Sequence, residues 1–108
     1  IQLPKECALA KRYIAANYAK KITLAVLAEI THINKFYLVH SFTECMGQSP
    51  INYLTEKRLD ASKQLLANSN LSVAQVASST GFSSQSYFSQ IFKKKVGITP
   101  QQYRKQST

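Results

Sequence analysis

The second half of this chain repeats the residue pattern of the first, and no other feature limits its fold as strongly. Gly47-Gln48-Ser49-Pro50-Ile51-Asn52-Tyr53 returns fifty positions later as Gly97-Ile98-Thr99-Pro100-Gln101-Gln102-Tyr103. At the same offset Phe42 matches Phe92, Leu38 matches Phe88, Tyr37 matches Tyr87 and Asn34 matches Ser84. Further upstream the offset becomes 49, pairing Ala28 with Ala77, Leu24 with Val73 and Thr23 with Ser72. The second copy therefore carries one extra residue near its Gly81 to Ser84 turn, and a turn is where a structural repeat tolerates an insertion. A repeat on this scale marks a recurring supersecondary unit, so the chain is expected to fold as two like units.

Each copy spells out the same unit. Thr23 and Ser72 are suited to accept hydrogen bonds from the free N–H groups at a helix start. The apolar triplets Leu24-Leu27-Ala28 and Val73-Val76-Ala77 then predict helices of about two turns. A turn follows, with Gly81 at the place that tolerates positive φ in the second copy and His32, a costlier residue there, in the first. Asn34 and Ser84 cap a second helix whose inward stripe is Leu38 and Phe42, or Phe88, Ile91 and Phe92. Gly47 and Gly97 end it, and Pro50 and Pro100 open the next helix at its first position. Short helix, tight turn and second helix is the helix-turn-helix layout, and two copies in register make chance an improbable source.

The fold class expected is all-α, with helices at about 4–19, 24–31, 35–46, 50–67, 73–79, 84–95 and 100–105. Residues 1–50 are expected to form the first helix-turn-helix subdomain, 51–68 a linker helix and 69–108 the second. The linker sets Ile51, Leu54, Ala61 and Leu65, with Leu59 and Leu66 alongside, on more than one stripe, as a helix touching both units would. In the first helix Cys7, Ala10, Ile14 and Tyr18 share one face.

Charge supplies the first functional clue. Fourteen Lys and Arg against five Asp and Glu give a net charge of +9. All five acids lie within the first 60 residues, and from Ala61 onward there are six bases and no acid. That balance favours a polyanionic partner. No nucleophile–base–orienter set, paired acids or phosphate loop is present, so the enzyme reading is weak. His32 and His40 have no partners at metal-ligand spacing, and no cofactor is expected. Cys7 and Cys45 are too few and too far apart in sequence for a disulfide framework, and reduced thiols in the cytoplasm are the expectation. No apolar run approaches the ~20 residues a membrane span needs, and no basic-then-apolar segment opens the chain. A start at Ile1 rather than Met suggests part of a longer protein.

The stretch from Ala77 to Arg104 resembles the signature of the AraC/XylS family of bacterial transcription regulators. Gly81-Phe82-Ser83-Ser84-Gln85-Ser86-Tyr87-Phe88-Ser89, Phe92-Lys93-Lys94, Gly97-Ile98-Thr99-Pro100 and Tyr103-Arg104 fit it almost position for position, and similarity extends from about Ile22 to Arg104. His32 in the first turn departs from the usual pattern. The resemblance implies a C-terminal DNA-binding domain whose two units dock their second helices in successive major-groove segments of a promoter, spaced by the linker helix. It also implies RNA polymerase and a sensor domain as partners, and an alternative in which the first unit is mainly a protein-interaction surface.

Helix periodicity leaves Gln85, Ser86, Ser89, Gln90 and Lys93 on the open face of one reading helix, and Lys35, Phe36, Val39, His40 and Thr43 on the other. By resemblance these include the family's base-reading positions. Apolar Phe36 and Val39 can meet the groove or pack inward; His40 can read a base or stand free on the surface. Tyr37 and Tyr87 can donate to phosphate or pack. Lys93-Lys94-Lys95 is a solvated run or a phosphate cluster. Asn34, Ser83 and Ser84 cap first, yet helix-entry N–H groups can also hold phosphate. With no outward Arg, the usual guanine partner, on either helix, recognition is expected to lean on A·T pairs, Gln85 or Gln90 on adenine and Phe36 or Val39 on thymine methyls.

Overall fold

Side-chain caps set the helix boundaries. In the computed structural model, which describes residues 4–108, the elements are α1 (Lys5–Asn17), α2 (Leu24–Thr31), α3 (Lys35–Met46), α4 (Pro50–Asn68), α5 (Val73–Ser79), α6 (Gln85–Val96) and α7 (Pro100–Gln106), with no strand among the described residues. Ile1 lies outside them. Thr23 accepts from the Val26 N–H, Asn34 from Tyr37, Ser72 from Gln75, Ser84 from Tyr87 and Thr99 from Gln102. Gln75 and Gln102 return a bond to the cap backbone, closing capping boxes at α5 and α7. Ser84 caps α6 as expected, and α1 ends at Asn17, short of the expected Ala19.

The chain divides into two compact units at Lys57/Arg58, inside α4. In the first, α1 buries Cys7, Ala10 and Ile14 against Leu27 of α2, Leu38 and Phe42 of α3, and Tyr53 and Leu54 from the start of α4. The Phe42 and Tyr53 rings meet edge-on, centroids 5.6 Å apart. Tyr53, which the expected apolar stripes left out, is buried here, whereas Ile51, which they included, is 39% exposed. Cys7 and Cys45, distant in sequence, are neighbours in this core. Burial, then a hydrogen bond with the Cys45 thiol, pushes the Cys7 thiol up to about 11, which keeps it protonated near neutral pH.

In the second unit, Leu59 and Leu66 of α4 join Val76 and Ala77 of α5, Phe82 of the turn, and Phe88 and Phe92 of α6. Phe92 stacks edge-on against Tyr103 at 5.6 Å, the counterpart of the Phe42–Tyr53 pair at the offset of 50. Arg104 donates to the carbonyls of Leu66 (3.0 Å) and Ser69 (3.4 Å), holding α7 to the C-terminal end of α4. The Leu66 carbonyl is among those a helix end leaves without internal partners.

Both tight turns are closed in the same way. Thr31 Oγ1 donates to the Leu27 carbonyl and Thr80 Oγ1 to the Val76 carbonyl, each at 2.8 Å. The next residue turns left-handed: Gly81 at φ +94° and His32 at φ +59°. For an L-residue that conformation costs about 1–2 kcal/mol, while glycine adds its own entropic cost of about 0.5–1 kcal/mol on folding. His32→Gly is therefore expected to raise stability by up to about 1 kcal/mol. A higher urea midpoint at unchanged m-value will show it, and a lower midpoint would mean that the imidazole holds the turn.

Candidate nucleic-acid interface

The two second helices of the repeat, α3 and α6, are seated by matching residues and expose matching faces. Leu38 and Phe42 anchor α3, and Phe88 and Phe92 anchor α6; all four are fully buried. Ser41 Oγ of α3 donates to Glu6 Oε1 of α1 at 3.3 Å, giving α3 a polar tether to α1. In the second unit Phe82, which periodicity did not place in the core, packs 4.9 Å from the Phe88 ring and 6.2 Å from the Tyr87 ring.

On the open side, Lys35, Phe36, His40 and Thr43 of α3 are exposed, as are Gln85, Ser86, Gln90, Lys93 and Lys94 of α6. Val39 and Ser89, one repeat apart, are both half-buried. Phe36 is 79% exposed, which rules out the core alternative for it. Its ring carries the Lys35 ammonium 5.9 Å from its centroid. Tyr37 and Tyr87 are 53% and 46% exposed, both beside the caps that open their helices. The oxygens of Asn34 and Ser84 are engaged with those N–H groups, and Ser83 is exposed next to them.

Two residues that periodicity did not single out belong to these surroundings. Arg58 of α4 is half-buried; that burial pushes its guanidinium down from its ordinary value, and the Tyr87 hydroxyl works against the shift. A guanidinium stays charged at any physiological pH, so a fixed cation sits close to the start of α6. Glu44 lies 3.6 Å from His40 Nε2, one turn along α3. Its place in the second copy is Lys94, so the first helix puts a carboxylate where the other has an ammonium. The signal for Glu44 was legible as an (i, i+4) pair with His40; nothing in the spacing marked Arg58.

Among the described residues no His, Cys, Asp and Glu group could hold a metal ion, and no helix is long and apolar enough to cross a membrane. Two short helix–turn–helix pairs, each presenting the exposed face of its second helix, define the helix-turn-helix class of DNA-binding domain. A family model described as a helix-turn-helix domain matches residues 27–106. The chain is 38% identical over 96 residues to the probable transcriptional regulator LumQ of Photobacterium leiognathi, covering 89% of this chain and 39% of LumQ. To the melibiose operon regulatory protein of Escherichia coli K12 it is 36% identical over 95 residues, covering 88% of this chain and 32% of that protein. It superposes on the C-terminal domain of AraT, a response regulator from Geobacillus stearothermophilus, with a TM-score of 0.94 at 31% identity, covering 98% of this chain and 88% of that one. The chain belongs to the AraC/XylS family of transcription regulators and is its DNA-binding domain. It spans well under half the length of the two curated relatives.

Proposed function

We propose that α3 and α6 each enter a major-groove segment of a double-stranded bacterial promoter, and that the protein regulates transcription there, in the cytoplasm. The observation that carries this reading is that the same positions of the two second helices stand open, on helices held by buried apolar anchors at corresponding places. In this assignment Lys35, Phe36, Val39 and His40 face bases from the first unit, and Gln85, Ser86, Ser89 and Gln90 from the second. Asn34, Tyr37, Thr43, Ser83, Ser84, Tyr87, Lys93 and Lys94 lie toward the phosphates, where backbone contacts fix register without reading sequence.

Residue chemistry then sets the preference. Gln pairs in bidentate fashion with adenine and Phe or Val meets the thymine methyl, while neither open face carries an Arg and Lys35 is the one base-facing side chain of a guanine-reading type. Selection from a randomised duplex library is expected to return a consensus rich in A·T pairs; a G·C-dominated consensus would overturn that assignment. Exposed Phe36 and Tyr37, with Glu44 on the same helix, favour a second reading in which the first unit docks RNA polymerase or a sensor domain. A footprint of one groove segment would support that reading, and one of two segments would support the first.

A further inference from the structure

An exposed phenylalanine is an odd choice for a groove whose other features are hydrogen-bond donors and acceptors. Phe36 is 79% exposed, has no core role, and stands where the second unit has Ser86. Val39, half-buried beside it, replaces Ser89. Together they change the corresponding face from hydroxyl-bearing to apolar. The major groove offers one kind of apolar target, the methyl group on C5 of a pyrimidine. Thymine always carries it, and cytosine carries it when methylated.

We infer that the first unit reads C5-methyl groups through Phe36, with Val39 beside it, and so treats 5-methylcytosine as it treats thymine at the position Phe36 covers. The inference rests on the DNA-binding reading above and gives it a property that base identity alone would not predict. Phe36 can bury a methyl without leaving a polar group unpaired, because its ring has no hydrogen-bonding atom. The Lys35 ammonium, 5.9 Å from the ring centroid, places a positive charge at the edge of the apolar face, complementary to the phosphates that line the groove. Burying one methyl is worth about fourfold in affinity, using the transfer free energy of a single carbon.

Uracil scanning tests this directly. Deoxyuridine keeps the pairing edge and the O4 acceptor of thymine and removes only the methyl. In the site selected from the library, deoxyuridine is placed at one thymine position at a time and the duplex is titrated with the chain. At one or more positions the substitution is expected to weaken binding about fourfold. That loss should vanish in Phe36→Ala and persist in Gln85→Ala. At the same position, 5-methylcytosine paired with guanine should bind about fourfold better than unmodified cytosine. Phe36→Ala will fold, because the side chain it removes is mostly in water; a circular-dichroism melt checks this. If no thymine methyl matters, or its effect survives Phe36→Ala, the inference is overturned while DNA binding stands. If Phe36→Ala leaves every duplex affinity unchanged, the aromatic face belongs to a protein partner instead. If no duplex binds at any ionic strength, the underlying DNA reading fails with it.

Discussion

Phe92→Ala is expected to lower stability by about 3–5 kcal/mol, the usual cost of emptying a buried phenylalanine site. The ring is fully buried and sits 5.6 Å from the centroids of both Phe88 and Tyr103, so its loss opens a void between α6 and α7. The whole stability of an ordinary domain is about 5–15 kcal/mol, and a unit of roughly fifty residues has a small share of buried surface to draw on. Protection of the α6 amides against hydrogen exchange should therefore collapse. The Leu38 and Phe42 amides of α3 should keep theirs, since the first core contains none of the deleted contacts. A loss under about 1 kcal/mol, with α6 protected as before, would show that the second core does not depend on this stack. Phe92→Leu keeps part of the volume and should cost less.

The second large effect is on DNA. If the two units together neutralise about six to ten phosphates, affinity should fall by about 10³–10⁵ between roughly 50 and 200 mM salt. A net charge of +9, with an acid-free stretch from Ala61 onward, makes a steep slope the natural outcome. If Lys93 meets phosphate and no base, as proposed, Lys93→Ala should weaken all sequences alike and reduce the log–log slope by about one. Gln85→Ala should leave the slope unchanged and relax preference at one base pair. A slope near zero for the unaltered chain would sink the phosphate assignment as a whole.

Most of the architecture was legible in the sequence because it rests on local chemistry. Caps at Thr23, Asn34, Ser72 and Ser84, glycines after α3 and α6, and prolines opening α4 and α7 each act within a few residues of where they stand. Tertiary choices were harder. Ile51 and Tyr53 are two places apart on one helix, and packing against the first core, the Phe42 ring included, sets Tyr53 inward. Cys7 and Cys45 looked unrelated because the contact between them depends on how α1 meets α3. Periodicity marked Phe36 as outward but could not separate a groove-facing ring from a packed one. Arg58 carried no signal at all, since its significance depends on Tyr87, twenty-nine residues on.

The two copies keep apolar anchors at the same buried positions and differ in chemistry at several positions of the open faces. Leu38/Phe88 and Phe42/Phe92 keep the anchors, and Thr31/Thr80 keep the turn hydroxyl. Phe36/Ser86, Val39/Ser89, His40/Gln90 and Glu44/Lys94 have diverged. The frame and the lettering on it thus lie on different residues. If both units read DNA as proposed, either half of the address can be rewritten by substitutions at exposed positions, while the other half holds the protein at its old site.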